Sequence, residues 1–148
     1  MKIIIPMAGM GKRMRPHTLT TPKPLIKIAG KALVNHLLYE IKDVLNEQIE
    51  EINFVIGDSG VHIEKELQHL AHELGAKPVI SYQEKPLGTA HAVYSAQSTL
   101  QDKVIVAFSD TLFKADFKLD TQSDGIIWTK RVEDPSSFGV VRKNEEGI

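Results

Sequence analysis

Near the start of the chain, Gly9-Met10-Gly11-Lys12-Arg13 combines the two things that hold a phosphate group. Glycines let a backbone approach a ligand closely with its N–H groups turned inward, and the cations supply opposing charge. The segment is not a P-loop, because the Gly-Lys-Ser/Thr ending is absent. Nor is it a dinucleotide fingerprint, since no third glycine falls in place. The plain alternative is a glycine turn beside solvated cations. Further on, Lys23 stands between Pro22 and Pro24, whose rings fix φ and leave its backbone little freedom. A stiffened lysine and an arginine beside phosphates suit a reaction that depends on positioning and charge neutralisation.

Charge distribution points the same way. The 148 residues carry a net charge of −1, which gives no global attraction to nucleic acid or to an anionic membrane. The first acid, however, is Glu40, whereas an even spread of the 19 acids would place about five before it. Between Gly9 and Lys31 stand Lys12, Arg13, Arg15, Lys23, Lys27 and Lys31 with no acid among them. A cationic segment on a nearly neutral chain implies an anion site of local extent. There are no cysteines, which excludes a disulfide scaffold and thiolate metal sites and fits a cytoplasmic setting. No apolar run is long enough to span a bilayer, and residues 1–7 do not resemble a signal peptide.

The elements that must position these residues follow from periodicity. Residues 2–7 are β-branched and apolar, as in a buried strand, and a break from 8 to about 30 follows. A loop that long is uncommon in a compact domain unless it is functional or disordered. Leu19, Leu25, Ile26 and Ile28 anchor it, which speaks against disorder. Helical stripes are expected over 33–45, 63–74 and 89–100, with Gly75 capping the second. Strands are expected at 52–56, 79–82, 104–108, 126–132 and 138–142. The alternation predicts an α/β fold with a doubly wound, mainly parallel sheet in one domain covering 1–148. In such sheets ligands lie beyond the carboxyl ends of the strands, so the loops after Met7, Tyr82 and Phe108 should converge.

Those loops carry a specific resemblance. Ala8-Gly9-Met10-Gly11-Lys12-Arg13-Met14-Arg15-Pro16, Pro22-Lys23-Pro24-Leu25 and Gly30-Lys31 resemble the signature of the sugar-1-phosphate nucleotidyltransferases. Gln83 with Pro86-Leu87-Gly88-Thr89-Ala90 resembles that family's base-recognition segment, and Asp110 its magnesium-holding carboxylate. Glu133-Asp134-Pro135 and Phe138-Gly139-Val140-Val141 resemble the entrance to its sugar site. Ala8 stands where the family usually has a further glycine, and Lys12 where it often has threonine. The family also continues with a sugar-phosphate lysine and a second metal-binding aspartate. Neither is assigned here, so a Rossmann-like domain truncated at its C-terminus, or one that has lost that half, is expected.

The resemblance implies transfer of a nucleotidyl group from a nucleoside triphosphate to a sugar-1-phosphate, with release of pyrophosphate. It implies Arg13 and Lys23 as catalytic groups and Ala8, Gly9, Gly11, Lys12, Gln83, Gly88 and Thr89 as nucleotide contacts. Gly139 falls in the sugar site and Asp110 holds Mg²⁺. A side-chain amide can read the imide edge of uracil or thymine, so Gln83 favours UTP or dTTP. Asp110 could otherwise cap a turn, and Thr89 could be a simple helix cap. His62, His69 and His72 lack the i, i+4 metal spacing and read as a solvated face, while His91 packs in its helix and Trp128 in the core or on the sheet. Two rival functions remain at this stage: a transferase acting on choline phosphate or another non-sugar phosphate, and a non-catalytic nucleotide-binding module. Assembly into a homo-oligomer is compatible with either.

Overall fold

The first strand, β1 (Lys2–Pro6), lies inside a four-stranded sheet with a neighbour on each side. The structure is a computed structural model that describes all residues except Met10, Asp58, Ser59, Lys143 and 145–148, and only the backbone of Lys12. A short antiparallel hairpin follows, β2 (Lys27–Ile28) and β3 (Lys31–Ala32), turning through Ala29 and Gly30 with φ of 49° and 84°. Then come α1 (Leu33–Val44), β4 (Glu51–Ile56), α2 (Val61–Glu73), β5 (Lys77–Tyr82), α3 (Thr89–Ser95) and β6 (Val104–Val106). The main sheet has the order β5-β4-β1-β6 and every pair in it is parallel.

Alternate residues of a strand face opposite sides of the sheet, and β1 uses both. Ile3 and Ile5 join Ile52, Phe54 and Ile56 of β4 beneath the apolar stripes of α1 and α2. Ile4 points the other way, packing with Val55 against Ala92 and Ala96 of the α3 segment. All three isoleucines are fully buried. Burial on both faces is why Ile3, Ile4 and Ile5 form a continuous apolar run rather than alternating with polar residues.

α2 ends as Gly75 predicts. Its backbone N–H donates to the His72 carbonyl and that of Ala76 to the Ala71 carbonyl. The φ of 80° at Gly75 makes this left-handed closure natural for glycine. On the other face, the Asn53 amide donates to Thr99 Oγ1, whose hydroxyl donates to Glu51. That chain of bonds ties the turn after α3 to the start of β4.

Four expected elements change. The helix expected over 89–100 is divided: α3 stops at Ser95, whose hydroxyl bonds back to the His91 carbonyl, and Gln97–Thr99 forms a 3-10 turn. The strand expected over 104–108 ends at Val106. Residues 126–132 and 138–142 form no strand. β-branched residues make a strand only when a neighbouring edge accepts their backbone bonds. Among the described residues β6 pairs with β1 alone. Trp128 instead packs edge-on against Phe113 and Phe117, at centroid distances of 4.7 and 5.8 Å. Among the described residues, no helix is long and apolar enough to cross a membrane.

Candidate nucleotide site

Chain order explains where a ligand can enter. From β1 the chain builds outwards through β4 and β5, then returns to place β6 on the opposite side of β1. The loops after β1 and β6 therefore diverge and leave a crevice at the carboxyl ends of the strands. A cavity of about 500 Å³ opens there between the glycine loop, Lys23, the β5–α3 loop and Ser109-Asp110. A second hollow, of about 460 Å³, lies along β6 and under Trp128, with a mainly apolar lining. Only the first gathers the residue types that the sequence marks for chemistry.

Its cationic wall is the long loop. Gly11 adopts a φ of +58°, which disfavours a side chain. A Cβ there would stand 2.9 Å from the Thr18 methyl and 3.3 Å from Lys23 Cβ. The Gly11 carbonyl accepts from the Met14 N–H and from the Thr18 hydroxyl, at 2.9 and 2.8 Å. These contacts fold the loop back so that its two cationic stretches, separate in sequence, become neighbours. Arg13 sits in the 3-10 turn Lys12–Met14 and Lys23 in a second turn, Lys23–Leu25, with Pro24 and Leu25 buried beneath it. Gly9 has open space where a Cβ would be, leaving its backbone approachable from the cavity.

Lys23 reaches across the crevice. Its Nζ lies 3.0 Å from Asp110 Oδ2, joining groups 87 residues apart. The hydrogen bond from Lys23 holds the Asp110 carboxyl below its usual range, against the opposing effect of partial burial. An ionised carboxylate can bind a cation as well as the lysine beside it. Among the described residues no group of three or more acidic or histidine side chains could cage a metal. One exposed carboxylate suits Mg²⁺, which takes few protein ligands and completes its shell with water and substrate phosphates.

The opposite wall is neutral. Gln83 continues the line of β5, its N–H bonded to the Ile56 carbonyl and its side chain buried. Its amide nitrogen donates to the Gly88 carbonyl at 3.0 Å and lies 3.1 Å from His91 Nδ1. Gly88 has φ 103° and ψ 179°, a conformation open essentially to glycine alone.

Ala8, Gly9, Gly11, Arg13, Lys23, Gln83, Gly88, Thr89 and Asp110 all line the one cavity. The side chain of Lys12 lies outside the described residues. Gly139 does not line it and sits in an exposed, irregular stretch. Sequence reasoning missed two residues: Thr18, in a loop without periodicity, and His91, which does more than pack in its helix. A histidine one turn beyond the Gly88-Thr89 helix start was the available signal for the second.

The geometry has counterparts among known proteins. The nucleotidyl transferase family matches residues 2–148. Mannose-1-phosphate guanylyltransferase catalytic subunit beta from Drosophila pseudoobscura pseudoobscura is 32% identical, covering 99% of this chain and 41% of its own. The bifunctional protein GlmU of Methanococcus maripaludis is 34% identical, over 95% of this chain and 32% of its own. The solved UDP-glucose pyrophosphorylase from Acinetobacter baumanii aligns with a TM-score of 0.64 at 25% identity, covering 78% of this chain and 47% of that one. A putative glucose-1-phosphate thymidylyltransferase from Bacillus anthracis shares the fold, with a TM-score of 0.65 at 24% identity over 78% of this chain and 46% of its own. The chain thus spans less than half the length of each of these proteins.

Proposed function

The chain belongs to the nucleotidyl transferase family, among the sugar-1-phosphate nucleotidyltransferases, and from that premise we propose that its crevice binds a nucleoside triphosphate and serves transfer of the nucleotidyl group to a sugar-1-phosphate. The products are a nucleoside diphosphate sugar and pyrophosphate. One observation supports this above all: a cationic, glycine-lined wall and a neutral, amide-bearing wall face each other across a cavity of about 500 Å³. Triphosphate matches the first wall and a base the second.

In this reading a sugar-1-phosphate oxygen attacks the α-phosphorus in line, and the bond to the β-phosphate oxygen breaks. The attacking oxygen is already ionised, so no general base is required. Arg13 stabilises the leaving pyrophosphate, and Lys23, released from Asp110, neutralises charge at the reacting phosphates. Backbone N–H groups of Ala8, Gly9 and Gly11 orient the phosphate oxygens. Asp110 is the residue that would hold Mg²⁺, which would supply charge neutralisation at the reacting phosphates. Gln83, Gly88 and Thr89 face the base, and the imide of uracil or thymine is the edge we assign to them. Sugar contacts near Gly139 rest on the sequence resemblance alone. The same proposal places the reaction in the cytoplasm, in keeping with a cysteine-free chain and soluble phosphate substrates.

Calorimetric titration with UTP, dTTP, GTP and ATP, with and without Mg²⁺, tests the reading. Metal-dependent binding that favours UTP or dTTP is expected. Preference for GTP would move the assignment to guanine, and absence of binding by the folded chain would remove it.

A further inference from the structure

The atom that Gln83 offers a ligand is decided by its neighbours. The Gly88 carbonyl can only accept, so the Gln83 amide must turn its nitrogen, not its oxygen, towards it. That same nitrogen lies 3.1 Å from His91 Nδ1. With one N–H committed to Gly88 and the other aimed at the ring, Nδ1 must accept, and the imidazole proton resides on Nε2. Both donors of the amide are then used inside the protein. Among the described residues Oε1 makes no hydrogen bond and is not a buried orphan, so it remains for a ligand. His91 does not line the cavity; it stands behind Gln83.

We infer that His91 is a positioning residue that locks the Gln83 amide with its carbonyl oxygen towards the ligand, making this wall selective for bases that present a ring N–H. The inference rests on the nucleotide reading of the cavity. Uracil, thymine and guanine carry a ring N–H beside a carbonyl, whereas cytosine and adenine present a bare ring nitrogen at that place. An amide free to turn over would serve either kind, because its –NH₂ and C=O ends are nearly the same shape. Two holds on one nitrogen, from Gly88 and from His91, remove that freedom.

UTP and CTP differ at this edge and little elsewhere, so their ratio of dissociation constants reports the amide's orientation. Wild-type chain should favour UTP clearly. His91→Phe keeps a ring but removes the acceptor, and should reduce the UTP/CTP ratio by about threefold to tenfold, the worth of one hydrogen bond. Affinity for inorganic tripolyphosphate should stay unchanged. His91→Asn, which can return a carbonyl oxygen near the position of Nδ1, should restore the ratio. Circular dichroism checks the fold, and His91→Ala replaces His91→Phe if the latter does not fold. Equal loss of affinity for UTP, CTP and tripolyphosphate would mean that His91 merely supports the fold, and would overturn the inference. So would an unaltered UTP/CTP ratio in a folded variant, or a wild-type chain that binds UTP and CTP equally. A wild-type chain that binds tripolyphosphate but no nucleotide would instead overturn the base-site reading itself.

Discussion

The two walls of the crevice are built in opposite ways. The cationic wall comes from one long loop with little regular structure, fastened by Gly11, Thr18 and the buried Pro24 and Leu25. The neutral wall is a strand end and a helix start, with Gln83 extending β5 and Gly88 opening α3. Charge acts over several ångströms and tolerates small displacements, so a loop suffices to present Arg13 and Lys23. Hydrogen-bond discrimination depends on atom-level geometry and needs a rigid frame. The contrast teaches that, in the proposed reading, one wall is built for affinity and rate and the other for choice.

Removing charge from the first wall should have the largest effect. In an active enzyme, Arg13→Ala is expected to lower turnover by about 10²–10³-fold, as loss of a charge-stabilising donor commonly does. Pyrophosphate release is the measurement, and release at the wild-type rate would take Arg13 out of the mechanism. Next is the fastening of the loop. Gly11→Ala forces a side chain into a left-handed residue and against Thr18, a strain of about 1–3 kcal/mol. Calorimetry should show every nucleotide weakened alike, whatever its base; weakening confined to one base would blur the division between the walls.

On the second wall, Gln83→Leu should cut the preference for UTP over CTP by about tenfold, the upper range for one hydrogen bond, with tripolyphosphate affinity unchanged. A parallel loss of tripolyphosphate would show that the walls are not separable. The smallest effect concerns the ion pair between the cationic loop and the segment after β6. Lys23 and Asp110 are both partly exposed, so their pairing is worth about 0–1 kcal/mol. Lys23→Met should tighten binding of Mg²⁺ alone by no more than about fivefold while weakening nucleotide, because the carboxylate loses its competitor. Unchanged metal affinity would show that the ion pair does not guard Asp110.

Much of this was legible in the sequence. The buried run Ile3-Ile4-Ile5, the stripes of α1 and α2 and the closure at Gly75 arise from local chemistry, and all form as expected. The loops after Met7, Tyr82 and Phe108 do converge, because strand–helix alternation carries its topology with it. Residues 126–132 were misleading for the converse reason: Ile126, Ile127 and Val132 have strand-forming side chains, yet a strand also needs a neighbour. Ile127 is 76% exposed, and the nearby Trp128 takes Phe113 and Phe117 as partners instead.

By itself, then, the sequence determined which side chains could meet phosphate and base, since glycine freedom, fixed lysine charge and amide chemistry belong to residue types. It also determined the strands β1, β4 and β5 and the helices between them, because periodicity dictates which faces must be buried. Tertiary structure alone decided that Lys23 would meet Asp110, that the Gly11 loop would fold onto Thr18, and which end of the Gln83 amide would bond to Gly88. Each of these depends on atoms brought together from distant or differently oriented segments. Chain order does not encode such distances; packing does.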